Sequence, residues 1–177
     1  MKKKQQVHIE HHLDRFLEEE IEDIKEIGDA LIWEEGKVKD DKINRSIRDS
    51  KIAWLHPNTE THWLFDRAII IFASSLSFNM LQSMQYTIYD SKGSHYDWHR
   101  DIGSTDNIAK ARVNVAIVQL SDPGDYRGGV LQIKHEDEVI DVMKTKGLVT
   151  TFPIQLEHRV TPVTSGIRKT LIMWGLK

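Results

Sequence analysis

Tyr96-Asp97-Trp98-His99-Arg100-Asp101 and, far downstream, His158-Arg159-Val160-Thr161-Pro162-Val163-Thr164-Ser165-Gly166-Ile167-Arg168 decide how this chain is read. In an extended strand, side chains two apart point to the same face. His99 and Asp101 in one strand would therefore converge on one point. A third ligand has to come from another strand, and His158 stands at a segment end after Phe152-Pro153. Two imidazoles and one carboxylate form a facial metal set that leaves coordination positions open; it suits Fe(II), with Mn, Co, Ni and Zn as competitors. Arg168, ten residues past His158, is a cation placed to anchor a dicarboxylate. Its planar fork meets a carboxylate through two hydrogen bonds and stays charged when partly buried. A lone His-x-Asp is weak evidence, since most such pairs lie on surface strands. The long string from His158 to Arg168 changes those odds.

Working outward from these strings, the chain after Met80 alternates short apolar segments with turn residues. Strands are predicted over Leu81–Tyr89, Tyr96–Asp101, Val113–Leu120, Val130–Lys134, Val139–Met143, Leu148–Phe152, Arg159–Val163 and Lys169–Trp174. Asp90-Ser91-Lys92-Gly93, Asp122-Pro123-Gly124-Asp125 and Lys146-Gly147 mark turns, and Gly128-Gly129 reads as a tight turn into a strand. Many short strands at regular spacing predict a sandwich or jelly roll. The first part of the chain reads differently. Helical spacing runs from about Val7 to Trp33 and again from Glu60 to Asn79, with Gly28 as an end or break and Gly36–Ser50 as a loop. Arg48 to Leu55 can begin a strand. The predicted fold class is α+β, mainly β. It is one domain over 1–177, with mostly helical support over 1–79 and a jelly-roll core carrying the metal site over 80–177.

Composition narrows the chemistry. The chain has 177 residues, enough to bury a core without disulfides, and no cysteine, which excludes thiol nucleophiles and Cys-built zinc sites. A formal net charge of -3 gives no electrostatic case for nucleic-acid binding. Lys2-Lys3-Lys4 is followed by no apolar stretch of signal-peptide length, and no run is long enough to span a bilayer. These features predict a cytoplasmic protein without a membrane partner; they leave the oligomeric state open.

Four stretches resemble the Fe(II)/2-oxoglutarate-dependent dioxygenases, and among them the prolyl 4-hydroxylase-like branch. They are Tyr89 through Asp101, Leu120 through Gly129 (Ser-Asp-Pro followed by Tyr-x-Gly-Gly), Phe152-Pro153, and His158 through Arg168 with Trp174. The resemblance implies a double-stranded β-helix, the cupin-like form of the jelly roll. It implies His99, Asp101 and His158 as catalytic metal ligands. Arg168 matches the residue that pairs with the far carboxylate of 2-oxoglutarate, Thr170 lies on the same strand face, and Tyr89 matches a tyrosine of the co-substrate pocket. Tyr96, Arg112 and Trp174 match positions that face the prime substrate; Trp174 reads equally well as a core aromatic. Gln119 departs from a tyrosine that some prolyl hydroxylases use to hold 2-oxoglutarate. The implied cofactors are Fe(II), 2-oxoglutarate as co-substrate and O2, with ascorbate as a supporting reductant. The implied reaction hydroxylates an unactivated C–H while 2-oxoglutarate becomes succinate and CO2.

The expected substrate is a protein or peptide, at proline, with a free amino acid or other small molecule as the alternative. A nucleic-acid demethylase is weaker, because Trp174 stands where that branch has a second arginine. A non-catalytic metal-binding jelly-roll module is weaker still, because every ligand is present. Elsewhere, His8, His11 and His12 read as a solvated helix face, and His56, His62 and His135 as exposed turn residues. No Gly-x-Ser-x-Gly and no phosphate loop occurs.

Overall fold

A computed structural model describes residues 8–38, 42–73, 78–103 and 107–177. In chain order its elements are β1 (Glu10–His12), α1 (Glu18–Asp29), β2 (Glu34–Glu35), β3 (Arg48–Asp49), β4 (Lys51–Leu55), α2 (His62–Phe72), β5 (Met80–Leu81), β6 (Met84–Tyr89), β7 (His95–His99), α3 (Asn107–Lys110), β8 (Arg112–Gln119), β9 (Tyr126–Gly128), β10 (Leu131–His135), β11 (Glu138–Asp141), β12 (Val149–Pro153), β13 (His158–Val160), β14 (Val163–Gly166) and β15 (Arg168–Leu176). The major sheet runs β1-β12-β8-β15-β6-β4-β2, with β5 also on β15. The minor sheet runs β11-β10-β13-β7-β3, and β14 pairs with β9. All strand pairs are antiparallel. The chain is mainly β, as the spacing predicts, with a jelly-roll core.

Alternation along the central strands of the major sheet divides two environments. Met84, Tyr86 and Ile88 of β6, Ala116 and Val118 of β8, and Leu171 and Met173 of β15 face outward into one apolar core with Ile21 and Ile24 of α1 and Leu64, Ala68, Ile71 and Phe72 of α2. The alternate residues face inward. Val115, Ile117 and Trp174 meet Leu131 and Ile133 of the minor sheet in a second core. Gln85, Thr87, Gln119, Arg168 and Thr170 are the buried polar members of that inner face.

Several expectations are corrected. The first helix covers only Glu18–Asp29. Glu10–His12, expected inside it, is a strand on the edge of β12, with Glu10 opposite Thr151 and His11 Nδ1 3.1 Å from Thr150 Oγ1. Pairing with an open sheet edge outcompetes the local helical spacing. His11 and His12 therefore lie on a strand edge and not on a helix face; Val7 lies outside the described residues. Gly28 lies within α1, where a Cβ would stand 2.6 Å from the Tyr86 ring, so close helix–sheet packing is what requires glycine there. The second helix ends at Phe72, and Met80–Leu81 pairs with β15; positions 74–77 of the expected helix lie outside the described residues. The expected loop from Gly36 to Ser50 contributes β3 to the minor sheet. The first part of the chain is thus more than helical support, since β4 is a strand of the major sheet beside β6. Among the described residues no helix is long and apolar enough to cross a membrane.

Candidate functional site

His99 ends β7, and His158 begins β13 directly opposite it. The spacing predicts Asp101 within the same strand as His99; it lies two residues beyond the strand end. Leaving the strand lets its carboxylate turn toward both imidazoles. One donor atom from each of His99, Asp101 and His158 lies within 4.8 Å of the other two. Asp101 Oδ1 is 3.6 Å from His99 Nε2 and 3.8 Å from His158 Nε2. Both separations exceed a hydrogen bond and leave room for an ion between the atoms.

Hydrogen bonds behind these atoms aim them. His99 Nδ1 donates to the Asp97 carbonyl at 2.8 Å, and His158 Nδ1 to the Leu156 carbonyl at 3.1 Å. A proton held on Nδ1 leaves the Nε2 lone pair free toward the centre. Trp174 Nε1 donates to Asp101 Oδ2 at 2.8 Å, so Oδ1 is the free oxygen. Burial, then the neighbouring His158, push the His99 imidazole down to about 3, against the opposing pull of Asp101. A neutral imidazole is what a metal requires. Burial also works against the Asp101 carboxylate, but His158, His99, the Trp174 N–H and Arg112 outweigh it, and the carboxyl is held below its ordinary range. The donor set, its tautomers and its charge all fit a divalent ion.

The triad opens into a cavity of about 850 Å³ between the two sheets, with Tyr89, Tyr96, Arg112, Arg168, Thr170 and Trp174 in its wall. Arg168 and Thr170 sit on alternate positions of β15, facing Tyr89 and Thr87 of β6. Arg168 is 1% exposed and its Nη2 donates to Gln119 Oε1 at 3.1 Å. Gln119, the departure noted in the sequence, therefore orients the guanidinium. Arg168 Nε is buried with no hydrogen-bond partner, as is the Tyr126 hydroxyl. Burial raises the Tyr126 hydroxyl and the nearby Arg168 charge opposes it. A buried arginine with donors unspent is suited to an incoming carboxylate.

Backbone packing makes that pocket possible. Gly128 and Gly129 have φ of +69° and +58°, and a Cβ on Gly129 would stand 3.0 Å from Arg168 Cδ and 3.1 Å from the Tyr126 ring. Tyr96 stacks on His99 with ring centroids 3.4 Å apart, and burial pushes its hydroxyl up to about 12 despite Arg48. The Arg112 guanidinium lies 4.0 Å over the Trp174 ring and its Nε donates to Gln82. Trp174 is both core and wall, so its two sequence readings describe the same side chain. Two site residues escaped the sequence reading. Tyr126 belongs to the Tyr-x-Gly-Gly string, which marks the resemblance without giving this side chain a role, and Arg48 stands where the loop reading gives way to a possible strand; neither has a spacing that points to the site.

Residues 84–175 match the family described as the 2OG-Fe(II) oxygenase superfamily. A PKHD-type hydroxylase of Azoarcus sp. is 32% identical over 113 residues, which cover 62% of this chain and 49% of that protein. A PKHD-type hydroxylase of Paraburkholderia xenovorans is also 32% identical, over 59% of this chain and 47% of its own length. The chain thus spans about half the length of these curated relatives. A Pseudomonas putida prolyl-4-hydroxylase superposes with a TM-score of 0.75 at 18% identity, over 97% of this chain and 94% of that one. A prolyl hydroxylase from Trichoplax adhaerens, solved with a peptide fragment of a hypoxia inducible factor oxygen degradation domain, gives 0.78 at 17% identity, over 95% and 83%. At such identities the structures speak for the fold.

Proposed function

Because the chain belongs to the 2OG-Fe(II) oxygenase superfamily, we propose that it is a 2-oxoglutarate-dependent dioxygenase that hydroxylates an unactivated C–H, with a peptidyl proline as its first candidate substrate. The single observation that carries this reading is a His99–Asp101–His158 cluster opening into the same cavity as the buried Arg168. The hydroxylase names of the relatives support it. We read the whole chain as one domain, since β1, α1 and α2 all pack on the sheet that carries Arg168.

His99 and His158 would ligate Fe(II) through Nε2 and Asp101 through Oδ1. The far carboxylate of 2-oxoglutarate would take the unspent donors of Arg168, beside Thr170 and Tyr89. When bound, iron, 2-oxoglutarate and O2 supply the oxidation: the keto acid loses CO2 to become succinate, and one oxygen atom each enters succinate and the substrate C–H. Ascorbate would serve as a supporting reductant. Trp174 holds Asp101 to one free oxygen, and the two backbone carbonyls hold both histidines in the ligating tautomer. Ile117, Leu131 and Ile172 make part of the wall apolar, which limits water around the reacting C–H.

The test is succinate formation from 2-oxoglutarate by anaerobically purified, iron-loaded protein on exposure to air and ascorbate. Peptide-stimulated succinate supports the peptidyl reading. Slow succinate that a proline-rich peptide does not stimulate moves the substrate to small molecules. No succinate from folded, iron-loaded protein sinks the dioxygenase reading.

A further inference from the structure

Arg48 is a cavity-wall cation with no carboxylate partner among the described residues. It sits on β3, at the edge of the minor sheet, opposite Tyr96 of β7. It is 6% exposed, yet it lines the cavity. Its Nε donates to Ser50 Oγ at 2.9 Å, Nη1 to the Lys37 carbonyl at 3.0 Å and Nη2 to Gln85 Oε1 at 2.8 Å. All three acceptors are neutral. Its guanidinium lies 4.5 Å over the Tyr96 ring, and Tyr96 in turn stacks on His99. Among the described residues no carboxylate comes within ion-pair distance of it. A buried charge without a counter-charge is costly, so such groups are paired or await a ligand. Guanidinium has five N–H donors, and hydrogen bonds to neutral acceptors use only some of them.

The charges around it favour the second case. At the rim they are matched, with Lys37 3.7 Å from Glu34 and Arg100 3.6 Å from Glu157. Deeper in the wall, Arg48 and Arg168 stand against Asp101, the one carboxylate there among the described residues. A divalent ion adds two positive charges and a keto diacid removes two. The remaining charge is positive and attracts an anion.

Position separates Arg48 from the co-substrate end. Gln85, which Arg48 grips, lies opposite Ile172, whereas Tyr89 lies opposite Arg168. Four residues of strand separate these rungs, about 13 Å at ~3.3 Å per residue. Its placement is also built: a Cβ on Gly36 would stand 2.5 Å from both Arg48 Nε and Ser50 Oγ, so the chain closes over this side chain only with glycine.

We propose that the prime substrate carries a carboxylate and that Arg48 seats it. The inference rests on the hydroxylase reading above and narrows its substrate class. The carboxylate belongs either to a free amino acid or to the carboxyl-terminal residue of a peptide.

The experiment uses matched carboxylate and amide probes: L-proline, L-leucine and L-lysine against their amides, and a proline-terminated tripeptide against its amide. Binding to anaerobic protein holding Fe(II) and 2-oxoglutarate is read by calorimetry, and succinate is read separately in air. Wild-type protein should prefer at least one carboxylate over its amide by about ten- to a hundredfold, the worth of a charge-assisted hydrogen bond. Arg48→Gln should bring that ratio close to one. Arg48→Lys, which keeps the charge and serves if the glutamine variant does not fold, should lower the ratio by several-fold. Arg168→Gln should raise the 2-oxoglutarate requirement while keeping the ratio. Preference confined to free amino acids or to the tripeptide assigns the source. Equal binding of acid and amide, no binding by any carboxylate, or an undiminished ratio in both Arg48 variants overturns the proposal. Succinate stimulated equally by acids and amides sinks Arg48 and spares the hydroxylase; carboxylate preference without any succinate does the reverse.

Discussion

The two sheets that enclose the cavity hold their polar side chains by different means. The major sheet is covered on its outer face by α1 and α2, and Gln85, Thr87, Gln119 and Thr170 each neighbour an outward residue of the buried core. Arg168 stands between Ile167 and Lys169 on a strand whose Leu171 and Met173 are fully buried. A strand paired on both sides and the hydrogen bond to Gln119 fix it. The minor sheet has no helix behind it among the described residues. On its flank, Trp98 lies under Lys134 at 4.3 Å and Arg159 at 4.6 Å, and Glu157 pairs with Lys134 at 2.9 Å. Exposed pairs of this kind contribute little. His99 and His158 are aimed instead by hydrogen bonds from Nδ1 to the backbone carbonyls two residues upstream, those of Asp97 and Leu156. One sheet supplies rigidity to the site, and the other supplies a self-aimed ligand set.

This contrast can be broken at its strongest point first. Asp101→Asn keeps an acceptor for the Trp174 N–H and removes the ligand charge. It should cost at least ~100-fold in metal affinity and in succinate formation, with a metal-free melting temperature close to wild type. Elemental analysis and a thermal scan decide it; a variant that retains stoichiometric iron would remove Asp101 from the ligand set. The opposite pole is Leu64→Ala in α2, a fully buried side chain behind the major sheet. It should lose about 2–5 kcal/mol in urea unfolding, while the folded fraction binds iron as before. A small loss would mean that the helices do not brace the sheet.

Arg168→Ala comes next. It should raise the KM for 2-oxoglutarate by about ten- to a hundredfold, because a charged donor to carboxylate is lost. An unchanged KM would take Arg168 out of the co-substrate site.

The smallest effect concerns pH and the outer core. Burial, then the hydrogen bond to Asp29 and its charge, raise the Tyr86 hydroxyl above its ordinary value. The folded chain thus prefers the neutral phenol. That stability is complete below the unfolded tyrosine value near 10 and is lost as pH rises above it. Tyr86→Phe should cost on the order of 1 kcal/mol at neutral pH and flatten the alkaline limb of a stability–pH curve. A limb of unchanged slope would place its cause elsewhere.

Much of this was legible in the chain because the information is local. Alternation in Val113–Leu120 and Lys169–Trp174 predicts strands, and β8 and β15 overlap both. His99, Asp101, His158 and Arg168 announce themselves by residue type and spacing, and the fold brings the three candidate ligands together. Non-local pairing defeats the same logic. Glu10–His12 is helical by spacing but meets the open edge of β12. Arg48 reads as the end of a polar loop or the start of a strand, and only the pairing of β3 with β7 turns it toward the cavity. Asp101 reads as a strand residue, yet it reaches the histidines because the strand stops at His99.

By itself, then, the sequence determined the donor chemistry, the mainly β class and which residues of a strand share a face, since side-chain direction follows from a repeat of two. Tertiary structure alone decided that Gln119 aims Arg168, that Tyr126 closes on it, and that Arg48 looks into the cavity with no carboxylate partner among the described residues. Those facts depend on the register between strands distant in the chain. A one-residue slip in register sends every side chain to the other face, and no local spacing encodes it.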